Sequence, residues 1–205
     1  MSNMAIFDVN TQNQIMDDVD EKVLNNISSV LTVALKCGSV VTGSILIHPD
    51  GGRDDKMDNT ILVDDESFYV CPNLGHGIDI DVASECWQIY FETYKPNVWD
   101  KTYGQPDNIN TFFMSESIDT VVVVGSNVGN GIIKTIQGLS DTGYKVIVVI
   151  DAMTDISNHS ILHDDDVRVM STKEFSFECR EVAKIVSGVQ PESVITKALT
   201  DLREL

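Results

Sequence analysis

The sequence predicts a three-layer α/β/α fold, in which a mostly parallel, doubly wound sheet lies between two layers of helices. Two segments of the second half, 120–124 and 146–150, are β-branched or aliphatic, which is typical of parallel strands covered on both faces. Helical patterns alternate with these segments, as right-handed βαβ crossovers require. No repeat or linker divides the 205 residues, so we expect a single domain over residues 1–205.

The individual elements follow from local patterns. A buried strand is predicted over 4–8, followed by a helix whose apolar residues recur every three or four positions from Val23 to Ala34, until Gly38 ends it. The further predictions are a strand over 40–47, a turn over 48–52, an acidic loop over 53–66, a helix over 82–94, a short strand over 97–99, a loop over 104–110, strands over 120–124, 145–150 and 167–170, a turn over 125–131, and helices over 132–139, 172–187 and 191–202.

In a parallel sheet of this type, ligands bind beyond the carboxyl ends of the strands. Four features follow predicted strands and are expected near that edge: Asp8, Lys101, the turn 125–131 and Asp151. The turn precedes a helix, whose first amides are free to hold an anion. Its glycines do not have the Gly-x-Gly-x-x-Gly spacing of a dinucleotide site.

The composition is strongly acidic, with a formal net charge of −18 and a pI of about 4.3. This charge disfavours nucleic acids and anionic membrane surfaces as partners, because both require clustered Lys and Arg. No apolar run reaches the length of a membrane span, and the first residues lack the pattern of a signal peptide. The four cysteines match no zinc or redox motif, so we expect reduced thiols in a cytoplasmic protein.

Three separated segments carry motifs of one known family, in the same order. The first is Ala5-Ile-Phe-Asp-Val-Asn-Thr-Gln-Asn13, and the second is Val98-Trp-Asp-Lys101. The third runs from Ile118 through Gly125 and continues in Gly143-Tyr-Lys-Val146 and Val149-Ile-Asp-Ala152. Together they resemble the isochorismatase-like cysteine hydrolases, a family that includes the nicotinamidases. The resemblance covers the first strand and roughly residues 96–155, and it implies a Rossmann-like three-layer fold.

The resemblance also implies site residues. The family uses an Asp, a Lys and a nucleophilic Cys, and these positions correspond to Asp8, Lys101 and Gly131. The amides of Asn127 and Gly131 would form the oxyanion hole. A non-proline cis peptide bond is expected between Ser126 and Asn127.

Gly131 departs from the family at the residue that carries the chemistry, because glycine has no nucleophilic side chain. The leading hypothesis is therefore a pseudoenzyme that retains Asp8 and Lys101 and that binds a small ligand or acts through assembly. One alternative is an active hydrolase of small amides that uses another nucleophile, such as a water activated by Asp8. A second alternative is a structural or interaction protein that uses the fold.

Cofactors and partners follow from the same comparison. Family metal sites use an Asp-x-His pair, but Leu46 stands where the Asp belongs, which leaves His48 and Asp50 as weak candidate ligands. We therefore expect no cofactor, with a divalent metal as the alternative. His159 and His163 lie one helical turn apart in an acidic segment, and we interpret them as a chance pair. Family members commonly self-associate, so the resemblance implies a homo-oligomer.

Overall fold

The computed structural model describes residues 3–11, 19–46, 88–93, 95–102, 104–156 and 159–186. Its strands are β1 (Met4–Val9), β2 (Val40–Leu46), β3 (Gln88–Thr93), β4 (Thr120–Gly125), β5 (Lys145–Met153) and β6 (Val167–Met170). Its helices are α1 (Glu21–Lys36), α2 (Pro106–Ser115), α3 (Gly131–Thr142) and α4 (Thr172–Val186). Two short 3-10 turns lie at Val128–Asn130 and Ser160–His163.

The described strands form one six-stranded sheet in the order β3-β2-β1-β4-β5-β6, and each neighbouring pair is parallel. Helices α1 and α4 bury one face of the sheet, and α2 and α3 bury the other. The predicted three-layer, doubly wound α/β/α class is therefore confirmed. The strand order reverses between β1 and β4, which makes that pair the topological switch point of the sheet.

The two apolar cores explain why these segments fold as they do. In α1, Ile27, Val30, Leu31 and Ala34 are fully buried at helical spacing, as the periodicity predicts. The fully buried valines of β4 contribute to both cores, because alternate side chains point to opposite faces. Gly143 ends α3 with a left-handed φ of 93°, and its amide bonds back to the last turn of the helix. The strands at 4–8, 120–124, 145–150 and 167–170 and the helix at 132–139 are confirmed within one to three residues.

The predicted helix over 82–94 is wrong over the part that is described, because residues 88–93 form the strand β3. The segment Gln-Ile-Tyr-Phe-Glu-Thr is rich in aromatic and β-branched residues, which favour strands. Its backbone pairs with β2, with Phe91 opposite Ser44. The apolar pattern of this segment is ambiguous between helix and strand, and pairing with β2 determines that it forms a strand.

Two predictions in the segment that follows are also wrong. Residues 97–99 form a turn and not a strand, because the Asp100 amide donates to the Asn97 carbonyl at 3.2 Å. Residues 106–110 belong to α2 and not to a loop. Pro106 starts that helix, where its missing N–H costs nothing, and Ile109 and Phe113 are its buried residues.

Several predictions lie outside the described residues: the turn 48–52, the loop 53–66 and the helix 191–202. The single-domain prediction for residues 1–205 extends over these segments and stays a prediction. Within the described residues, no helix is long and apolar enough to cross a membrane.

Candidate active site

The predicted site lies at the switch point, where β1 and β4 end side by side. Asp8 is paired with Val124 and Val9 with Gly125. Gly125 has a φ of 120°, and a Cβ there would lie 2.4 Å from the carbonyl oxygen of Val9. Only glycine permits this close approach of the two chains. The sheet therefore brings the first strand and the glycine-rich turn together, as the strand pattern predicts.

Asp8 is fully buried at the end of β1. Its Oδ2 accepts a hydrogen bond of 2.6 Å from the Oγ1 of Thr11, which is itself only 1% exposed. A buried carboxylate requires donors of this kind, because burial without them is costly. Thr11 is a functional candidate that sequence reasoning missed, although its spacing of three residues from Asp8 was a usable signal.

Asn10 ties three chain segments together beside Asp8. Its Nδ2 donates to the carbonyl oxygen of Pro96 at 3.0 Å, and its Oδ1 accepts from the Oγ of Ser44 at 2.9 Å. Its backbone amide donates to the Ser44 carbonyl at 3.1 Å. Asn10 is fully buried and has a φ of 49°, a left-handed conformation that Asn tolerates better than most residues. The ends of β1 and β2 and the segment after β3 are thereby linked.

Gly131 lies directly against this network. Its φ of −56° and ψ of −48° suit any L-residue, so the backbone does not require glycine. The surrounding space does: a Cβ at this position would lie 2.9 Å from the Pro96 carbonyl oxygen and 3.0 Å from the Nδ2 of Asn10. The position predicted for the nucleophile is therefore occupied by neighbouring atoms at the point where a side chain would begin.

The backbone amides of Asn127 and Gly131 in this turn donate hydrogen bonds within the protein. The Asn127 amide donates to the Oγ1 of Thr154 at 2.9 Å, and the Gly131 amide donates to the carbonyl of Val128. Both amides predicted for an oxyanion hole thus have acceptors inside the protein. An incoming oxyanion would have to displace these acceptors.

The expected cis peptide bond between Ser126 and Asn127 is not present, because the described residues contain no cis bond. The trans form of a non-proline bond is favoured by about 2.5–4 kcal/mol. The turn instead reverses direction through left-handed backbone at Gly129 and Asn130, with φ values of 54° and 62°. Ser126 is buried, and its Oγ accepts a 3.3 Å hydrogen bond from the Val128 amide.

The Asn127 side chain has a structural role at the start of α3. Its Oδ1 accepts from the Ile133 amide at 3.4 Å, and its Nδ2 donates to the carbonyl of Asp155 at 3.1 Å. One of the early amides of the helix, which the sequence suggests for anion binding, is thus bonded within the protein. The carboxyl end of β5 is joined to the same turn.

Lys101 lies in the turn that precedes α2, and its side chain is exposed to solvent. Asp8 is fully buried, so the two charged residues of the predicted triad occupy opposite environments. Their predicted catalytic roles stay predictions. The turn itself is well fixed, because the Thr102 amide donates to the Oδ1 of Asp100 at 2.8 Å and the Gly104 amide donates to the Asp100 carbonyl at 2.7 Å.

The metal prediction rests on residues that are only partly described. His48 and Asp50 lie outside the described residues. Among the residues that are described, no group of three or more His, Cys, Asp and Glu side chains is arranged to hold a metal ion. His159 accepts a 3.4 Å hydrogen bond from the Ile161 amide at its Nδ1, so it caps the short turn Ser160–His163.

Comparison with known proteins gives similarity in structure only. No family model matches the chain, and no curated protein sequence matches it. The chain is similar to an N-carbamoylsarcosine amidase from Thermoplasma acidophilum, at 17% identity and a TM-score of 0.56, over 84% of this chain and 97% of the amidase.

Two further structures give the same result. A nicotinamidase from Staphylococcus aureus is 13% identical with a TM-score of 0.57, over 83% of this chain and all of the nicotinamidase (100%). An isochorismatase from Pseudomonas putida is 15% identical with a TM-score of 0.58, over 84% of this chain and 89% of the isochorismatase. The chain therefore has the fold of the isochorismatase-like cysteine hydrolases.

Proposed function

We propose that this chain is an isochorismatase-like protein that does not carry out cysteine hydrolase chemistry and that acts through binding or assembly. The observation that carries the proposal is the packing at Gly131, where the Pro96 carbonyl and the Asn10 amide fill the space of a Cβ. A residue with a thiol would have to displace a backbone carbonyl before it reached a substrate. Position 131 therefore lacks a nucleophilic side chain and also lacks the space for one, and both observations support a protein without this chemistry.

The electrostatics of the turn support the same proposal. A hydrolase of this type stabilises a developing oxyanion with amides that have no other acceptor, and each such donor is worth about 10²–10³ in rate. Here the Asn127 and Gly131 amides already donate within the protein. Asp8, the predicted base, already accepts from Thr11. The two amides and the Oδ2 of Asp8 therefore have partners within the protein.

A non-catalytic role is consistent with the other expectations for this chain. The acidic composition favours basic partners over anionic ones, and it promotes solubility. We include a homo-oligomeric state, a cytoplasmic location and binding of a small ligand among the proposals for this chain. None of them requires the thiol chemistry of the family.

One observation favours an active hydrolase as a second candidate. Thr11 donates to the buried Asp8 carboxylate at 2.6 Å, which is the arrangement of a hydroxyl nucleophile beside its general base. In that case the Oγ1 of Thr11 would attack the amide carbonyl carbon and Asp8 would receive the hydroxyl proton. The C–N bond would then break as that proton passes to the leaving amine, and water would hydrolyse the resulting Thr11 ester. Thr11→Val removes the hydroxyl at nearly constant volume and separates the two candidates.

The test measures ammonia release from small amides and N-carbamoyl amines, with nicotinamide and N-carbamoylsarcosine included. The native chain is compared with Thr11→Val, Gly131→Cys and Lys134→Cys, the last of which places a thiol on the exposed face of the same helix. We expect the native chain to release ammonia at the rate of the buffer. Turnover by the native chain that is lost in Thr11→Val would overturn the proposal in favour of the second candidate.

The Gly131→Cys variant tests the steric part of the proposal. Because the Pro96 carbonyl occupies the space of the new Cβ, we expect this variant to remain as inactive as Lys134→Cys. Activity in Gly131→Cys would show that the glycine alone silences an otherwise competent site. Circular dichroism on all four chains confirms that inactivity is measured on folded protein.

A further inference from the structure

We propose that Cys37 and Cys179 form a reversible disulfide that cross-links α1 to α4, and that Cys37 is the thiol that reacts first with small disulfides. The two residues are 142 positions apart in sequence, and the Sγ of Cys37 donates to the carbonyl oxygen of Cys179 at 3.6 Å. Both are free thiols in the described structure. This site is independent of the switch-point site and of the function proposed for it.

The two thiols differ in access to solvent. A groove of about 580 Å³ runs between α1 and α4, and Cys37 lines it together with Asn26, Ser29, Ser176 and Arg180. Cys37 is half-buried, whereas Cys179 is 7% exposed and packs in the core beneath. A small reagent in the groove therefore meets Cys37 first.

The charges and hydrogen bonds around the two thiols also favour reaction at Cys37 before Cys179. Two cations, Lys173 and Arg180, and one carboxylate, Asp151, line the groove, so its lining is net positive and attracts an anionic disulfide such as oxidised glutathione. Burial raises the pKa of Cys37, but its hydrogen bond with Cys179 lowers it in part. Burial is the main cause that raises the pKa of Cys179 to about 12, and the neighbouring Cys37 and Glu178 contribute to this rise. Deprotonation is therefore easier at Cys37, which the reaction requires because the thiolate is the attacking species.

The reaction balances as a two-step exchange with a small disulfide. The Cys37 thiolate attacks one sulfur of the disulfide, the S–S bond breaks, and the first small thiolate leaves and takes up a proton. The Cys179 thiolate then attacks the Sγ of Cys37 and displaces the second small thiolate. The two protein thiols lose two electrons in total, and the small disulfide is reduced to two thiols.

The final bond requires the two sulfurs to approach to about 2.0 Å, the length of a disulfide bond. Cys37 follows the last residue of α1, and its Sγ already contacts the backbone carbonyl of Cys179 at 3.6 Å. The Cys37 side chain would therefore turn from the Cys179 carbonyl to the Cys179 sulfur. Cys179 lies within α4 and is the fixed partner.

The test uses the full chain with Cys71→Ser and Cys86→Ser, so that Cys37 and Cys179 are the remaining thiols. The folded protein is incubated in mixtures of oxidised and reduced glutathione, quenched with an alkylating reagent, and digested with trypsin. The expected product is one linked pair of peptides, residues 37–53 and 174–180, that disappears on reduction with dithiothreitol. Its absence at high oxidised glutathione, with the fold intact by circular dichroism, would overturn the proposal.

Single variants test the order of reaction. In the same background, Cys179→Ser is expected to accumulate a glutathione adduct on Cys37, and Cys37→Ser is expected to leave Cys179 as a free thiol. The adduct should form faster on Cys37 than on Cys179, because Cys37 lines the groove and is half-buried, whereas Cys179 is buried in the core. Faster reaction at Cys179 would refute the assigned order. If either variant does not fold, the linked peptides of the two-thiol chain still decide whether the pair forms.

Discussion

At the scale of single residues, Gly131 shows that space and not backbone conformation selects the amino acid. Its dihedral angles are those of an ordinary helix, so alanine or cysteine would be permitted by the backbone alone. The Pro96 carbonyl and the Asn10 side chain exclude a Cβ at this position by their close approach. Glycine is therefore part of a packed structure, and its replacement should have a measurable cost.

We expect Gly131→Ala to lower the free energy of unfolding by about 1–3 kcal/mol, the usual cost of adding a methyl group to filled space. Urea denaturation measures the change, with Lys134→Ala on the exposed face of α3 as the matched control. In an Asn10→Ala background the same substitution should cost less, because one of the two close neighbours is gone. Equal costs in both backgrounds would mean that Asn10 does not restrict this position.

The buried thiol of Cys179 makes stability depend on alkaline pH. Burial, with smaller contributions from Cys37 and Glu178, raises its pKa to about 12 from the ordinary 9.0, so the folded state keeps a proton that the unfolded state has lost over this interval. The unfolded state then binds fewer protons, and the free energy of unfolding falls as pH rises from 9 to 12. Denaturation at several pH values should show a shallower fall in Cys179→Ala than in the native chain. An identical slope in the two chains would contradict this prediction.

The site residues that could be predicted are those with a local signal. Asp8 ends an apolar run, and Gly131 was located by the resemblance of residues 118–125 and 143–152 to the family's motifs. Asn10, Ser44 and Pro96 were not predicted, because their hydrogen bonds join positions 34 and 86 residues apart. A single sequence carries no local pattern for such contacts, since they exist only after the strands are placed in order.

At the scale of elements, strands with one strong signal were predictable and those that depend on neighbours were not. The valines of 120–124 favour a strand in any context. The segment 88–93 instead becomes a strand because β2 offers it a partner. Residues 106–110 were interpreted as a loop because they are polar and contain a proline, yet their buried residue Ile109 fits the core beside Phe113. Tertiary packing decided both cases.

The start of α4 has two caps, and Asp151 provides the long-range one. Its Oδ1 accepts from both the amide and the hydroxyl of Thr172, at 2.7 and 2.8 Å. Its carbonyl oxygen accepts from the Nδ2 of Asn26 in α1 at 2.7 Å. Ser171 and Glu174 form the local cap, and their hydrogen bonds lower the pKa of Glu174. Asp151 thus connects β5 with both helices of one layer.

We expect Asp151→Ala to destabilise the fold by about 0.5–2 kcal/mol, the range measured for loss of a helix cap. The matched control is Asp166→Ala, which removes the same charge from an exposed turn. Urea denaturation of the two variants measures the difference. A similar change in both would assign the effect to net charge and would exclude the cap as its cause.

At the scale of the whole molecule, the net charge of −18 sets the electrostatic behaviour. Excess charge of one sign destabilises a compact state through self-repulsion. We therefore expect the melting temperature to rise as NaCl increases from about 0.01 M to about 0.1 M, over which the Debye length falls from about 30 Å to about 10 Å. A neutral osmolyte at equal osmolality is the control. A melting temperature that falls with salt would indicate that attractive pairs dominate.

The position of β1 at the centre of the sheet also governs the order in which the chain can fold during synthesis. Of the described strands, β1 is synthesised before the others, yet Met4 pairs with Thr120 and Val9 with Gly125. Contacts this distant in sequence form slowly, because the intervening chain loses entropy when the loop closes. Until residue 125 has emerged, one edge of β1 has no strand beside it, and such edges recruit other chains. A nascent chain that stalls before Thr120 is thus expected to aggregate or to bind chaperones, whereas one that stalls after α3 can complete the β1–β4 pair.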